Sequence, residues 1–316
     1  MNDAVLENDP WIPDVVVVGS ASRDVAPNDP RGWRLGGGVT YGALTLARLG
    51  IRTGAVIGAD RLAAGAAELD LLRAAGAVVH LAPIPTGPIF ELIETPTGRV
   101  QTCREPGVPL DPAAVPAAWH AASAWLLAPV ADEVDDLWSD VPAPHTTVAL
   151  AWQGLLRDLG AGRRTGRRAP RRTALTARAD LVGVSREDLA PDTALDDLAG
   201  CLHRGATLLL TDAAAGGLQA RVGAGRLSGL RRYPAESAST VVDPIGAGDV
   251  FLAGYLGAVL AGPAAEARFG TRSALRLAAL AASAVVERPG LLGVPTAREL
   301  GDRLRQSGRY RARAQP

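Results

Sequence analysis

The hydrophobic positions of the chain fall into short aliphatic runs that alternate with stretches of helical spacing. Residues 15–18 are four consecutive valines followed by Gly19, a run typical of a strand that is buried on both faces. Residues 40–49 have the character of a helix that ends at Gly50, and residues 53–57 are extended again. The order strand, helix, strand predicts parallel strands joined by crossover helices.

The same alternation continues into the C-terminal third of the sequence. Further strands are predicted at 124–127, 147–152, 180–184 and 206–211, and alanine-rich helices at 247–260 and 273–287. We therefore predict an α/β fold, a doubly wound and mostly parallel sheet, formed by residues 1–316 as a single domain.

One segment departs from this alternation. Residues 89–94 and 99–104 both look extended and have mixed polarity, and the turn residues "TPTG" lie between them. We expect a β-hairpin of about residues 85–105 that forms a small lid over a site.

The charges of the chain are balanced, with 33 basic and 33 acidic residues, and every basic residue is arginine. The balance argues against nucleic acid or a membrane as partner and favours a small-molecule ligand. The absence of lysine excludes the GxxxxGK phosphate loop and Schiff-base chemistry. Six arginines at residues 163–172, "RRTGRRAPRR", predict a mobile surface loop, with a site for a polyphosphate or another acidic partner as the alternative.

Cysteine and histidine usage excludes several other kinds of site. Cys103 and Cys201 have no partner spacing, and the four histidines lack the HxH or HxxxH spacing of a metal centre. The acidic first residues lack the features of a signal peptide, and we expect no membrane-spanning run. A cytoplasmic protein is predicted.

The strongest chemical signal is the stretch "VVDPIGAGDVFLAGYLGAVL" at residues 241–260. Gly246, Ala247 and Gly248 leave backbone N–H groups unshielded at the start of an apolar helix, which predicts an anion hole for a phosphoryl group. Asp249, in the first helical turn, is either a cap or a base that takes a proton from a hydroxyl. The residues alone leave both roles open, although capping explains neither the paired glycines nor the second carboxylate, Asp243.

Two motifs, in the same order along the chain, resemble those of the ribokinase-like, or PfkB-type, carbohydrate kinases. "DPIGAGDVFLAG" is similar to the DTxGAGDxFxxG signature, and "LGGGVTYGALTLARLG", which contains Gly36 and Gly37, is similar to the GG(x)n-LG segment. "VVVVGSASRD" places Asp24 at the position of the family's substrate-binding aspartate. "TDAAAG", residues 211–216, resembles the TxGxxG segment that passes near the nucleotide.

The resemblance implies a role for each matching position. Asp249 is then the catalytic base, the N–H groups of residues 246–248 form the anion hole, and Asp24 with Gly36 and Gly37 orients the acceptor. ATP with Mg²⁺ is the implied donor. The remaining implied residues are Thr211, Gly216 and Ser185 for the donor and Asp243 and Asp188 for the metal. A monovalent cation near Asp243 and a homodimer through the lid are further implications of the resemblance.

The sequence departs from the family pattern both at an acceptor-binding position and at donor-binding positions. Tyr41 stands where ribokinase-type enzymes have an asparagine; it either offers a flat face and a hydroxyl to a ring-shaped acceptor or packs under the lid. Ala213 replaces the first glycine of TxGxxG. "SRED", which begins at Ser185, replaces the family's NxxE but keeps a hydroxyl and a carboxylate. Gln153, just past a predicted strand, is a further candidate.

The predicted function is an ATP-dependent kinase that phosphorylates a hydroxyl of a small sugar, an inositol-like polyol or a nucleoside. The GGxxTY-type segment is similar to that of kinases resembling myo-inositol kinase, which favours a polyol. The alternative is a catalytically weak ribokinase-fold protein that binds a ligand or regulates a partner. A nicotinamide-dependent dehydrogenase does not fit, because no GxGxxG follows the first strand.

Overall fold

Strands and helices alternate through most of the computed structural model, which describes residues 11–95 and 98–313. The strands are β1 Val15–Ser20, β2 Ser22–Val25, β3 Trp33–Gly36, β4 Thr53–Ala59, β5 Val78–Pro83, β6 Ile89–Thr95, β7 Gly98–Glu105, β8 Ala124–Leu127, β9 Thr147–Ala151, β10 Arg157–Asp158, β11 Arg163–Arg164, β12 Gly166–Arg167, β13 Leu181–Ser185, β14 Thr207–Thr211, β15 Gly217–Val222 and β16 Leu227–Tyr233. The helices are α1 Gly38–Arg48, α2 Arg61–Ala64, α3 Glu68–Ala74, α4 Ala174–Arg178, α5 Leu195–Cys201, α6 Ala247–Ala261, α7 Ala265–Phe269, α8 Ala274–Val285 and α9 Ala297–Arg313.

Nine strands form the main sheet in the order β16-β15-β14-β13-β9-β8-β1-β4-β5. The pairs from β14 to β5 are parallel, and β15 and β16 extend the sheet as antiparallel strands. Val15 and Val17 enter the hydrophobic core on one face of the sheet, whereas Val16 and Val18 enter the core on the other face. Burial on both faces explains the unbroken valine run. The predicted mostly parallel α/β fold is confirmed.

A second sheet of five strands, in the order β11-β7-β6-β2-β3, lies beside the main one. β6 and β7 pair antiparallel as the predicted hairpin, although the turn residues 96–97 lie outside the described residues. The hairpin does not stand alone, because β2 pairs with both β3 and β6. We call these five strands the lid sheet. The single-domain assignment stays a prediction.

The arginine-rich segment, predicted as a mobile surface loop, is in part extended strand. Arg163 and Arg164 form β11, which pairs antiparallel with β7, and Gly166–Arg167 pairs with Arg157–Asp158. The segment therefore has regular backbone pairing, because its extended arginines complete one edge of the lid sheet. Arg168 of this segment forms an ion pair with Asp132 at 2.5 Å.

One described helical stretch, Ala247–Phe269, is long and apolar enough to cross a membrane when judged by length and composition alone. The stretch begins with α6, in which every residue from Val250 to Ala258 is buried. The helix packs against α1 and α8 inside the protein. Its apolar composition is that of a core helix.

The loop that follows β8 is held in place by one buried carboxylate. Glu133, 2% exposed, accepts hydrogen bonds from the backbone N–H groups of Ser20, Val130 and Ala131 at 2.7–3.1 Å. These bonds tie the loop to the carboxyl end of β1, which lies between β8 and β4 in the main sheet. The loop in turn supports the inner face of the lid sheet, where Phe90 packs with Val130 and Ala131.

We expect Glu133→Gln to lower the free energy of unfolding by about 2 kcal/mol, because the amide nitrogen cannot accept and leaves buried N–H groups unpaired. Urea denaturation monitored by tryptophan fluorescence measures the change. Glu187→Gln, at an exposed position, is the matched control and should stay within about 0.5 kcal/mol of the parent. Equal stability of the two variants would contradict the assigned role of Glu133.

Candidate active site

Asp24 and Asp249 come from distant parts of the chain and flank the same run of glycines. A Cβ atom on Gly36 would lie 2.2 Å from Oδ2 of Asp24, and one on Gly38 would lie 2.8 Å from Oδ1 of Asp249. Any side chain at these two positions would overlap a carboxylate. The triple-glycine turn between β3 and α1 therefore leaves room for two acidic side chains at one cleft.

The enclosure of the cleft changes the acidity of both carboxyl groups. Burial raises the pKa of Asp249 to about 6; the charges of Asp188 and Asp24 act in the same direction, and that of Arg157 opposes them. Burial likewise raises the pKa of Asp24 to about 6, although a hydrogen bond from the Ser22 hydroxyl to Oδ1 (2.9 Å) counteracts it. At neutral pH both groups are still mostly ionised, and each can accept a proton or a hydrogen bond.

The start of α6 provides the bare backbone that the sequence predicts. Gly246 precedes the helix with a left-handed φ of 80°, and no side chain caps the helix. Gly248 is exposed, with open space where a Cβ would project. The Ala247 N–H makes only a long hydrogen bond to the Pro244 carbonyl (3.4 Å), and the positive end of the helix dipole lies beside Asp249, an arrangement suited to an anion.

Asp249 does not act as a cap in this arrangement. Within the described residues its carboxylate accepts no hydrogen bond from the first turn of α6; Oδ1 instead lies against Gly38 at the start of α1. Of the two roles left open by the sequence, the geometry favours that of a base that faces the cleft.

Tyr41 lies beneath the glycine turn of α6 and is only 2% exposed. A Cβ on Gly246 would meet its ring at 2.4 Å, so the ring fixes the position of the anion-hole backbone from below. Burial, followed by the charges of Asp24, Asp243 and Asp249, raises the pKa of the Tyr41 hydroxyl well above its ordinary value. The hydroxyl therefore lies among the three carboxylates, whereas the flat ring face is taken up by packing.

The predicted donor-side residues lie at the ends of two neighbouring strands. Ser185 and Thr211, the last residues of β13 and β14, are paired in register. Asp188 follows in the next turn and accepts hydrogen bonds from Gln153 Nε2 (2.9 Å) and from the Ser185 N–H (3.2 Å). Gly216 is buried and has a left-handed φ of 90°. Ligands bind at such carboxyl ends in open α/β sheets.

Asp243 fits a structural role better than the predicted metal site. Its Oδ1 accepts the N–H of Ile245 (3.1 Å), and Oδ2 accepts the N–H of Gly290 (3.0 Å) and Nη1 of Arg34 (3.2 Å). These donors occupy the carboxylate and compete with a cation. In residues 11–95 and 98–313, no group of three or more His, Cys, Asp or Glu side chains could hold a metal ion.

Arg157 is the cleft residue that sequence reasoning missed. It follows the turn after β9, and the charges of Asp188, Asp249, Asp24 and Glu133 all act on its guanidinium. Like Gln153, Arg157 follows the buried strand β9, six residues past its end. No sequence motif distinguishes it from the other arginines of the chain.

The family model described as pfkB family carbohydrate kinase matches residues 173–297, which include the start of α6. This part of the chain is thus similar to the PfkB family. The resemblance inferred from the glycine motifs is thereby confirmed. No curated protein matches the chain.

Solved structures extend the comparison to nearly the whole chain. A pyrophosphate-dependent kinase in the ribokinase family, complexed with a pyrophosphate analog and myo-inositol, is 18% identical with a TM-score of 0.67; 87% of this chain and 96% of that chain are covered. The nucleoside kinase of Methanocaldococcus jannaschii is 15% identical with a TM-score of 0.64, covering 93% and 98%. Ribokinase of Arabidopsis thaliana, complexed with ribose and ATP, is 19% identical with a TM-score of 0.61, covering 93% and 99%. The chain shares their ribokinase-like fold.

Ala213, which replaces the first glycine of the TxGxxG segment, has a φ of 42°. This left-handed conformation suits glycine and strains an alanine through its Cβ. The turn thus keeps the backbone shape that glycine favours, at a cost in stability.

We expect Ala213→Gly to raise the free energy of unfolding by about 0.5–1 kcal/mol, since relief of the strain exceeds the added entropy of the unfolded chain. Ala214→Gly is the matched control: it is exposed in the same turn without a left-handed φ, and should lower stability slightly. Denaturant midpoints measure both changes. A lower midpoint for Ala213→Gly would contradict the strain.

Proposed function

We propose that the chain transfers the terminal phosphoryl group of ATP to a hydroxyl of a small polyol or sugar. The supporting observation is that Asp24 and Asp249 flank one glycine turn, next to the uncapped N-terminus of α6. A hydroxyl between the two carboxylates and a phosphate above the helix would be in reacting distance of each other. This combines a general base with an anion hole, the two components that phosphoryl transfer requires.

In the proposed reaction, Asp249 accepts the proton of the acceptor hydroxyl as its oxygen attacks phosphorus. The new oxygen–phosphorus bond forms while the bond from phosphorus to the bridging oxygen breaks, and ADP leaves. The N–H groups of Gly246, Ala247 and Gly248 stabilise the charge on the oxygens of the moving phosphoryl group. Backbone donors and the helix dipole thus replace the lysine that this chain lacks.

Mg²⁺ fits this site through Asp188 and not through Asp243. Asp188 lies close enough to Asp249 to influence its pKa, and its two neutral hydrogen-bond donors leave lone pairs open. Mg²⁺ is commonly held by one or two carboxylates together with substrate phosphates, so a cluster of three protein ligands is not required. When bound, the ion supplies positive charge that neutralises the donor phosphates. The monovalent cation and the lid-mediated homodimer stay predictions.

The side chains around the cleft favour a hydroxyl-rich acceptor such as an inositol-like polyol. Oδ1 of Asp24 accepts from Ser22, which leaves Oδ2 for an acceptor hydroxyl. The aromatic rings of Tyr41 and Phe90 are each only 2% exposed, so neither offers a free face on which a nucleobase could stack. The similarity to a structure that contains myo-inositol supports the same class.

The proposal is tested by a screen of inositols, sugars and nucleosides with magnesium and either ATP or pyrophosphate as donor. We expect transfer to at least one polyol, and expect Asp249→Asn to lower kcat about 10²–10⁴-fold while ADP binding is retained. Formation of the phosphorylated product is followed by ³¹P NMR. Asp302→Asn, which removes an exposed carboxylate of α9, is the matched control.

Each negative outcome of the screen has a distinct meaning. Unchanged turnover in Asp249→Asn would refute the base assignment. Transfer from pyrophosphate alone would leave the acceptor chemistry intact and correct the donor. Ligand binding without any transfer by the parent protein would instead favour the regulatory alternative.

The pH dependence of kcat/KM supplies an independent check. Asp249 must be ionised to accept a proton, so kcat/KM should fall about tenfold per pH unit below its pKa of about 6 and level off above it. Asp24, Asp188, Arg157 and the Tyr41 hydroxyl are the charged or titratable groups that surround it. The value of kcat/KM is measured between about pH 5 and 8 by direct separation of the ADP formed. A kcat/KM that does not change with pH would contradict the assigned base.

A further inference from the structure

Arg157 reaches the cleft with most of its hydrogen-bonding capacity unused. Nη1 donates to the carbonyl of Val130 at 2.9 Å, and the guanidinium lies over the ring of Phe90 at 5.1 Å from the centroid. Within the described part of the chain it forms no ion pair and no second hydrogen bond. A guanidinium carries five N–H donors, so several are open to a ligand.

The charges nearby are those of a site that must receive an anion. Asp24, Asp188 and Asp249 would repel a phosphoryl group, and all three act electrostatically on Arg157. The fourth neighbour, Glu133, already accepts three backbone N–H groups. The positive charge of Arg157 thus offsets the negative charges of these acidic side chains, although its guanidinium forms no ion pair with them among the described residues. Its planar set of N–H donors is therefore available for phosphate oxygens.

The lid sheet holds this arginine in position. Phe90, which supports the guanidinium, pairs with Asp24 across β6 and β2. On the other side, Arg157 pairs with Arg167, and the connecting Arg163 and Arg164 pair with β7. The arginine-rich segment therefore fastens the chain that follows Arg157 to the same sheet that carries the acceptor-binding aspartate.

We propose that Arg157 is a catalytic residue, which donates hydrogen bonds to the phosphoryl group as it passes from the donor to the acceptor hydroxyl. This inference rests on the proposed kinase function and adds a side-chain donor opposite the backbone donors of α6. Arg157 keeps its proton throughout; the proton of the acceptor goes to Asp249. Its contribution is the neutralisation of charge on the moving group.

The test compares Arg157→Met, Arg157→Lys and Arg164→Met with the parent in steady-state kinetics on the acceptor found in the screen. We expect Arg157→Met to lower kcat about 10²–10³-fold with little change in the KM of the acceptor, and Arg157→Lys to recover part of the loss. Arg164→Met removes an exposed positive charge from β11 and should leave kcat unchanged. Thermal unfolding checks that each variant is folded.

A structural role alone would not move the pH profile in the expected direction. The charge of Arg157 lowers the pKa of Asp249, so Arg157→Met should shift the acid limb of kcat/KM to higher pH. Asp24 of β2, Asp188 and Tyr41 of α1 also face Asp249 and are unchanged in the variant. Phe90→Leu, which keeps the arginine but removes the ring beneath it, should lower kcat by a smaller factor and serves if Arg157→Met does not fold.

A kcat for Arg157→Met within threefold of the parent would overturn the inference while leaving the kinase function in place. If the parent shows no transfer to any acceptor, the kinase function fails, and titration calorimetry with magnesium pyrophosphate decides the role of Arg157 separately. Binding at least tenfold weaker in Arg157→Met than in the parent and Arg164→Met supports the contact with phosphate. Equal affinity of all three proteins overturns it.

Discussion

Two carboxylates beside one glycine turn are the constraint on which the rest of the site depends. Asp24 and Asp249 repel each other, and burial makes their ionised forms more costly. The chain accommodates them with glycines at 36 and 38, which leave space where side chains would clash. It also compensates their charge with an arginine and with the N-terminus of α6. Burial raises both pKa values more than the nearby positive charge lowers them. Each pKa therefore lies close to neutral pH, where a general base is effective.

The lid sheet and the anion hole are linked by a second set of contacts at the cleft. Arg34 of β3 pairs with Asp243, and Asp243 in turn accepts the N–H groups of Ile245 and Gly290. The lid sheet and the turn before α6 are thereby joined through one buried carboxylate. Asp243 belongs to the signature motif as much as Asp249 does, but its hydrogen bonds give it a positioning role.

The sequence was informative wherever a local pattern determines local structure. The valine run, the helix that begins near Thr40 and the glycine motif before Asp249 all behave as their patterns indicate. The lid was only partly foreseen: β2 and β3 are short and polar, and they are strands because they pair with each other and with β6. The arginine-rich segment was misjudged for the same reason, since its pairing with β7 depends on a partner about 60 residues earlier in the chain. Long-range pairing of this kind leaves no periodicity in the segment itself.

The role of Tyr41 illustrates how a motif position can affect a site without facing the substrate. The sequence left two roles open for this tyrosine, a flat face for a ring-shaped acceptor or packing under the lid, and its ring is buried beneath Gly246. The left-handed turn at Gly246 is then supported from below by a rigid ring, which keeps the N–H groups of α6 directed at the cleft. A rigid set of donors loses little entropy when charge develops in front of it, and such preorganisation accounts for much of the catalysis in phosphoryl transfer. The tyrosine therefore bears on the proposed acceptor only indirectly: it fills the space under the turn, and Asp24 and Asp249 remain the side chains proposed to bind the acceptor hydroxyls.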